Sequence, residues 1–571
     1  MSVRRAAALV LLVCLAAAGP TSAAKPGRHI GAVEGPLRLI PIGDEPLTVA
    51  GGHRYFGELE IASAGDGLVL SDRLPLERYL LGLNEVPTSW PAEALKAQAV
   101  AARTYAQYTL EQGPGGDAAV YGFDICASVQ CQVFSGADVI DSITGARWIA
   151  AVESTAGQTV LYDGRPILAR YHSTSGGRTL NNEQAFPEEG AYPYLVGVDS
   201  PTEQGSPLFH WTVEIRLDRL TKLLRNAGLW ESGRITDAHS VPSSSGLHYP
   251  DLVFESKKRQ TAMTAEAFRD AIRELAPDLY PNLYPSPSNT ASGRLPETLP
   301  SNRISMFTRD GVAIIAGRGW GHGVGMSQWG AEGLALQGAG YADILAHYYT
   351  GVSIGSYPDP GPIEVGLGWG LAQTTISGSF RIVDARGKTI VKHALGTWDF
   401  RWPGSGAVSI EPPKGYGLPL NVGIVRAPKN VGIGEPTFLT VALSRPARVT
   451  TKTAAAPTGY ADPGTEVKEA GRKRIVWLAP LEPGTYDVRV TANTGAVQRR
   501  SEPVPITVLA ATEQDDGHPG LGVSLTTEDG PPYWVYVGGG LLTVLVLVFL
   551  ANHLARRGNR GDDGPPSKLI P

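Results

Sequence analysis

Cysteine is nearly absent from this chain, with three residues in 571. That excludes a small scaffold framed by disulfides, which carries several cysteine pairs per domain. An excess of positive charge is missing too. Lys and Arg number 50 against 55 Asp and Glu, for a net charge of −5. A general nucleic-acid binder wants a basic surface against the phosphate backbone, so nucleic acid is excluded as the expected partner. No segment recurs with a fixed period. Hydrophobic residues make up 42% and charged residues 18%, which fits neither wholesale disorder nor a collagen-like chain.

Glycine and proline are plentiful instead, at 69 and 44 residues, and favour short strands with many turns. At roughly 150 residues per domain the length suggests three or four domains.

Both ends of the chain point to a membrane. Arg4 and Arg5 precede an apolar run over 6–18, then Gly19-Pro20 and the small residues of 21–24. This reads as a secretory signal peptide over 1–24; a short anchor or a buried helix is the competing reading. Without that segment, 48 basic residues face 55 acidic ones, or −7. Near the other end no Asp, Glu, Lys or Arg occurs from 530 to 554. Trp534 and Tyr536 stand at one edge, and Arg556, Arg557 and Arg560 follow. The pattern predicts one transmembrane helix over 534–554 with a cytoplasmic tail at 555–571. The ectodomain between them then works outside the cytoplasm, held at the cell membrane.

Cysteine placement agrees with that compartment. Cys126 and Cys131 are the two that remain once Cys14 leaves with the signal segment. An even pair in an oxidising compartment reads as a disulfide. The competing reading is half of a zinc site, which needs two further ligands; the adjoining sequence offers no His.

Short strands are predicted over 30–80. A helix follows from Ser89-Trp90-Pro91 to about Gln112, with Ser89 as its cap and Gly113-Pro114 as its stop. Leu95, Ala99, Ala102 and Ala106 recur at helical spacing, and their small size implies close packing. Residues 145–172 read as strands. Helices are predicted near 217–227 and 265–275, a Pro- and Ser-rich loop at 284–300, and strands at 304–309 and 312–316. Two more helices begin near Met326 and Tyr341. Beyond 360 the pattern is strands and turns.

Three segments carry candidate chemistry. The first, 79–105, sets a lone carboxylate, Glu85, in a tight turn before the helix, with Pro87 fixing the backbone. A solvated turn acid is the plainer reading. The second, YHSTSGGR over 171–178, offers His172, Ser173 and Ser175, yet no nucleophile elbow surrounds them. A hydroxyl-rich turn bonding its own backbone is the alternative. The third, 317–351, alternates Gly319, Gly321, Gly323 and Gly325 around His322 but lacks the Gly-Lys-Ser/Thr ending of a phosphate loop. Such glycines let a backbone approach a ligand or another strand closely.

In this order the three segments resemble the SpoIID/LytB family of bacterial cell-wall proteins. Stretches 121–136, 211–220 and 264–274 agree as well, and the likeness covers about 50–352. It implies an α+β core with a groove that acts on peptidoglycan glycan strands. Some members look like lytic transglycosylases, and others are described as enhancers of a cell-wall amidase. The family's catalytic acid, in its E-x-P element, falls on Glu85-Val86-Pro87, with Val where Met is usual. Its basic residues fall on Lys96 and Arg103. His172, His322, Ser327 and Gln328 are groove-lining donors on this reading, alongside Ser173 and Ser175. Some relatives bind zinc through Cys and His near the second motif; this chain lacks that His, so neither a metal nor another cofactor is expected.

One carboxylate suffices for a lytic transglycosylase, because the muramic 6-hydroxyl attacks in place of water and leaves a 1,6-anhydro end. Ordinary glycosidases need two carboxylates. The division that follows is signal peptide 1–24, an N-terminal β-rich segment 25–78, the core 79–352, and a further β-rich segment 353–425. An Ig-like β-sandwich 426–508 and a stalk 509–533 lead to the membrane helix. The C-terminal half would act as a spacer or recruit a hydrolase.

Overall fold

The computed structural model describes residues 30–243, 249–280, 299–404 and 406–510. The signal segment 1–24, most of the stalk, the transmembrane helix 534–554 and the tail 555–571 lie outside the described residues, as does nearly all of the loop 284–300. Among the described residues, no helix is long and apolar enough to cross a membrane. The chain forms two compact units.

The larger unit covers 34–394 and 401–408. One sheet runs in the order Gln373–Val383, Leu37–Pro41, Glu58–Ala64, Gly67–Pro75, Pro362–Leu371 and Ile125–Cys126. Alternation sets its faces: Leu37 and Leu39 meet Leu59 and Ile61 across antiparallel pairs, and all four are buried. Strands within 353–425, expected as a segment of their own, complete this sheet, with Ile363 opposite Leu74.

The helix Ala92–Gln112 crosses the middle of the unit. Leu95, Ala99, Ala102 and Ala106 are fully buried, and so are Ala97, Val100, Ala101 and Thr104 around the rest of its circumference. A helix enclosed on all sides belongs to a core. Small side chains let neighbouring helices approach closely, as the alanine spacing predicts. Its start differs from expectation. Pro91 is the N-cap, no side chain caps the helix, and Ser89 is exposed. Residues 145–154, read as strand, form the helix Gly145–Ser154. Trp148, Ala151 and Val152 are buried at spacings of three and four, a helical period that the apolar run masked.

A second core in the same unit packs the antiparallel strands His210–Arg216, Val312–Arg318 and Ile304–Arg309 against the helices Leu217–Asn226 and Ala265–Leu279. Thr264 caps the second of these helices, its hydroxyl accepting the Ala267 amide at 3.1 Å. Trp211 lies in this core and donates its indole N–H to the Gly319 carbonyl at 2.9 Å. The glycine-rich segment is thereby pinned to a rigid support.

The smaller unit is β throughout its described part. Val422–Arg426, Pro436–Leu443 and Gly471–Leu478 form one sheet. Gly484–Asn493, with Ala447–Thr453 and Val504–Leu509 beside it, anchors the other. Leu439, Val441, Trp477, Val488 and Val490 share one core. Strand Val422–Arg426 joins this unit and starts ahead of the expected boundary at 426.

Candidate active site

Glu85 sits in the turn between the helices Leu76–Leu81 and Ala92–Gln112. The turn is zipped to a second strand of chain. The Asn84 amide donates to the Val133 carbonyl at 2.8 Å, and the Ser135 amide to the Gly82 carbonyl at 2.8 Å. In return the Val133 amide donates to Glu85 Oε1 at 2.7 Å. Tyr171 donates its phenolic O–H to the same oxygen at 3.0 Å. Behind Tyr171 lies Gln132, whose side-chain amide donates to the Tyr171 hydroxyl at 2.8 Å. Gln132 accepts from the Tyr79 hydroxyl at 2.9 Å. The Gln328 side chain also bonds to the Glu85 carboxyl, and donates to Gln98 at 3.4 Å.

Burial pushes the Glu85 carboxyl up to about 7, against the pull of Val133, Tyr171 and Gln328, whose hydrogen bonds favour the charged form. The residue keeps a partly exposed edge. A carboxyl near 7 is half protonated at neutral pH, as a general acid requires. No second carboxylate is among the groups that shift it. Burial, and then the Glu85 charge, hold the Tyr171 phenol well above its ordinary value, so it stays a donor.

A cleft of about 460 Å³ opens beside this turn. Asn84 and Pro87, on either side of Glu85, line it together with Thr88, Ser89, Ser135, Ser142 and Thr144, and with His53 and Asp138, whose carboxylate is paired with Arg54 at 2.9 Å; Glu85 itself stands behind this wall. Five hydroxyls and the Asn84 amide are set in that wall and can meet the donors and acceptors of sugar hydroxyls.

The expected basic residues are elsewhere. Arg103 has a fully buried side chain that grips Glu77 through two bonds of 2.7 Å. It also donates to the carbonyls of Gln158 at 3.2 Å and Val152 at 3.4 Å. It clamps the central helix to its neighbours and offers no surface to a glycan, which corrects its expected role. Lys96 pairs with Glu93 at 2.7 Å on its own helix. Neither cation acts on Glu85, so nothing basic offsets the upward push of burial.

The second and third motifs meet as a parallel pair, Tyr171 opposite Met326 and His172 opposite Ser327. Gly319, Gly321, Gly323 and Gly325 all have positive φ, between 69° and 98°. A Cβ at Gly325 would lie 2.1 Å from the Arg170 carbonyl oxygen, and one at Gly319 would lie 2.4 Å from that of Thr174. The glycines bring one backbone against the other. Several expected donors are consumed in this contact. His172 is buried, and Nδ1 donates to the Val324 carbonyl at 3.1 Å. Burial pulls its pKa down to about 3, so it is neutral. Ser327 is buried as the N-cap of helix Gln328–Leu336, accepting the Gly330 amide at 3.2 Å. Ser175 is fully buried. These three do not face a groove, and their roles are corrected to structural ones. His322 is half-buried, its ring 5.5 Å from that of His172. Ser173 is half-buried, its hydroxyl 3.4 Å from that of Thr174. Of the expected set, only Gln328 touches Glu85.

Tyr171, Gln132 and the Val133 amide escaped the sequence reading as site groups. Tyr171 opens the second motif, and Gln132 follows Cys131 directly. In the structure Cys126 and Cys131 are joined as a disulfide with their Cα atoms 5.5 Å apart. Among the described residues no group of three or more His, Cys, Asp or Glu is arranged to hold a metal.

A family profile described as SpoIID, stage II sporulation protein, matches residues 64–162, which include Glu85 and Gln132. An uncharacterized protein of Brachyspira hyodysenteriae is 30% identical over 310 residues, covering 54% of this chain and 73% of that one. The chain belongs to the SpoIID family. Within it, the stage II sporulation protein D of Bacillus amyloliquefaciens is 29% identical over 292 residues, covering 50% of this chain and 75% of that protein. An amidase enhancer of Bacillus subtilis is 29% identical over 299 residues, covering 48% of this chain and 39% of the enhancer.

Proposed function

We propose that this SpoIID-family chain is a cell-wall protein that cleaves peptidoglycan glycan strands as a lytic transglycosylase, with Glu85 as the general acid. The observation that carries the reading is the carboxyl raised to about 7 with no second carboxylate acting on it. Val133 and Tyr171 donate to Oε1, and with Gln328 as a further donor to the carboxyl we place the transferable proton on Oε2. It passes to the bridging oxygen as the bond from that oxygen to the muramic anomeric carbon breaks. The muramic 6-hydroxyl oxygen then bonds to the anomeric carbon, and its proton returns to the Glu85 carboxylate. The acid is regenerated, water is not consumed, and a 1,6-anhydro end remains. The cleft along Thr88, Ser89 and Ser142 would seat the strand. The signal segment 1–24 would send the chain across the membrane, and the segment 534–554 would then hold the ectodomain outside it, within reach of the wall.

Purified strands incubated with the full-length protein should gain anhydro-ended fragments, and the Glu85→Gln protein should release none. Equal yields from both would reject the acid role.

Likeness to the Bacillus subtilis amidase enhancer favours a second reading, in which the chain binds peptidoglycan and activates a cell-wall amidase without cutting glycan. Glycan binding without new chain ends, together with faster release of stem peptides by an added amidase, would select it.

A further inference from the structure

A second cleft, of about 410 Å³, lies at one end of the strands His210–Arg216, Val312–Arg318 and Ile304–Arg309. His210, Tyr249, Arg303, Ser305 and Arg318 line it. Apart from the shared 171–175 segment, none of the contacts recorded for Glu85 involves this region.

Arg303 is only 7% exposed. Its guanidinium donates to the carbonyls of Ser175, of Arg178 at 3.1 Å and of Thr174 at 3.4 Å. Its Nε is buried with no partner among the described residues. Gly319 and Gly323 leave the room that this group fills. Carbonyls fix a guanidinium in place but neutralise none of its charge. Arg318 is exposed in the same cleft, and among the described residues no ion pair joins it. Burial pulls the Arg303 guanidinium down to about 10, with Arg318 adding to that pull and Tyr249 and Glu203 opposing it. Glu203 is the one carboxylate in that set. It is fully buried and accepts the Gly176 amide at 2.7 Å and the Gly177 amide at 3.3 Å. Two guanidiniums against one committed carboxylate leave the cleft positive at neutral pH.

The extended segment from Tyr171 to Ser175 links this cleft to the acid. Tyr171 bonds Glu85, and the Ser175 carbonyl takes Arg303. The two places thus share one segment, with Tyr171 and Ser175 four residues apart and their Cα atoms at most about 14 Å from each other.

We propose that this cleft is an oxyanion subsite that takes a carboxylate of the peptidoglycan strand, with Arg318 touching the ligand and Arg303 the buried cation behind it. The inference rests on the peptidoglycan reading above. A guanidinium fork matches a carboxylate with two parallel bonds. Muramic acid carries such a group. It is a free lactyl carboxylate where the stem peptide has been removed, and where the peptide remains the carboxylates sit on the peptide. A chain of plain N-acetylated glucosamine has none.

The test titrates full-length Glu85→Gln protein, which leaves strands uncut, with four ligands. They are strands stripped of stem peptide, strands that keep it, stripped strands with amidated carboxylates, and chitooligosaccharides. Carboxylate-bearing strands should bind tighter than the last two. Adding Arg318→Gln should weaken the carboxylate-bearing strands by about tenfold and leave chitooligosaccharides unchanged. Arg318→Lys should keep part of that tenfold. Preference for stripped over peptide-bearing strands assigns the lactyl carboxylate, and the reverse assigns the stem peptide. Amidation without effect overturns the subsite, as does an Arg318→Gln loss equal on all four ligands or absent from all. Binding of no strand at all by the Glu85→Gln protein overturns the peptidoglycan reading, and the subsite with it.

Discussion

Tyr171 and the Val133 amide converge on one oxygen of Glu85, at 3.0 Å and 2.7 Å, from segments far apart in the chain. Both bonds favour the charged carboxylate, and burial outweighs them. The acid therefore rests on a balance that single substitutions can tip.

Removing the Tyr171 hydroxyl removes one of the downward pulls. Tyr171→Phe should raise the Glu85 pKa above about 7. Cleavage needs the protonated acid, so the rate should fall as pH climbs through the folded pKa, and that limb should move to higher pH in the variant. A pH profile of anhydro-end release checks this. A limb that stays put or moves down would break the link between Tyr171 and the acid. The variant also takes one acceptor from the Gln132 amide, which keeps the Ala102 carbonyl at 3.3 Å, at a cost of about 1 kcal/mol in stability.

The raised carboxyl also works on folding. An unfolded Glu titrates near 4.3, and this one titrates at about 7 when folded. Its stabilising share is complete below the unfolded value and is lost as pH rises through the folded one. Glu85→Gln should therefore match the natural protein near pH 4 and exceed it at pH 8, by up to ~3 kcal/mol. Denaturant melts of the larger unit at both pH values would show this. A Gln variant no more stable at pH 8 would mean that the carboxyl is better solvated than its surroundings indicate.

Legibility from sequence followed range. The helix Ala92–Gln112 and the acid in its preceding turn were readable, because periodicity and a fixed turn residue act within a few positions. The alternating glycines announced a close backbone approach, and they make one against the 171–175 segment. The partner of each polar side chain was not readable. Arg103 stands in the same stretch of sequence as Glu85, yet it is spent on Glu77. Tyr171 reaches Glu85 across 86 positions, a contact that only tertiary packing creates. Ser327 looked like a groove donor, and capping consumed it.

Arg103 shows how far a structural cation differs from a ligand-binding one. Arg103→Ala should lower the stability of the larger unit by about 3 kcal/mol, since it breaks the Glu77 grip and abandons the buried Val152 carbonyl and the half-buried Gln158 one. Glycan affinity of the folded protein should not change. A selective loss of affinity at unaltered stability would return Arg103 to the groove.

The Cys126–Cys131 bond closes a short loop immediately ahead of Gln132 and Val133, the two residues that hold Tyr171 and Glu85 from behind. A loop of this length constrains the unfolded chain by ~2 kcal/mol. Its effect on the site should be larger than its effect on stability. With the loop released, the Val133 amide is held less firmly against Glu85, and one of the forces opposing burial weakens. Cys126→Ser with Cys131→Ser should thus cost ~2 kcal/mol in melts, depress cleavage at pH 6 through looser positioning, and shift the surviving activity toward higher pH. Treating the natural protein with a thiol reductant should reproduce all three effects and leave the serine variant untouched. Unchanged rate and pH profile after reduction would confine the disulfide to stability alone.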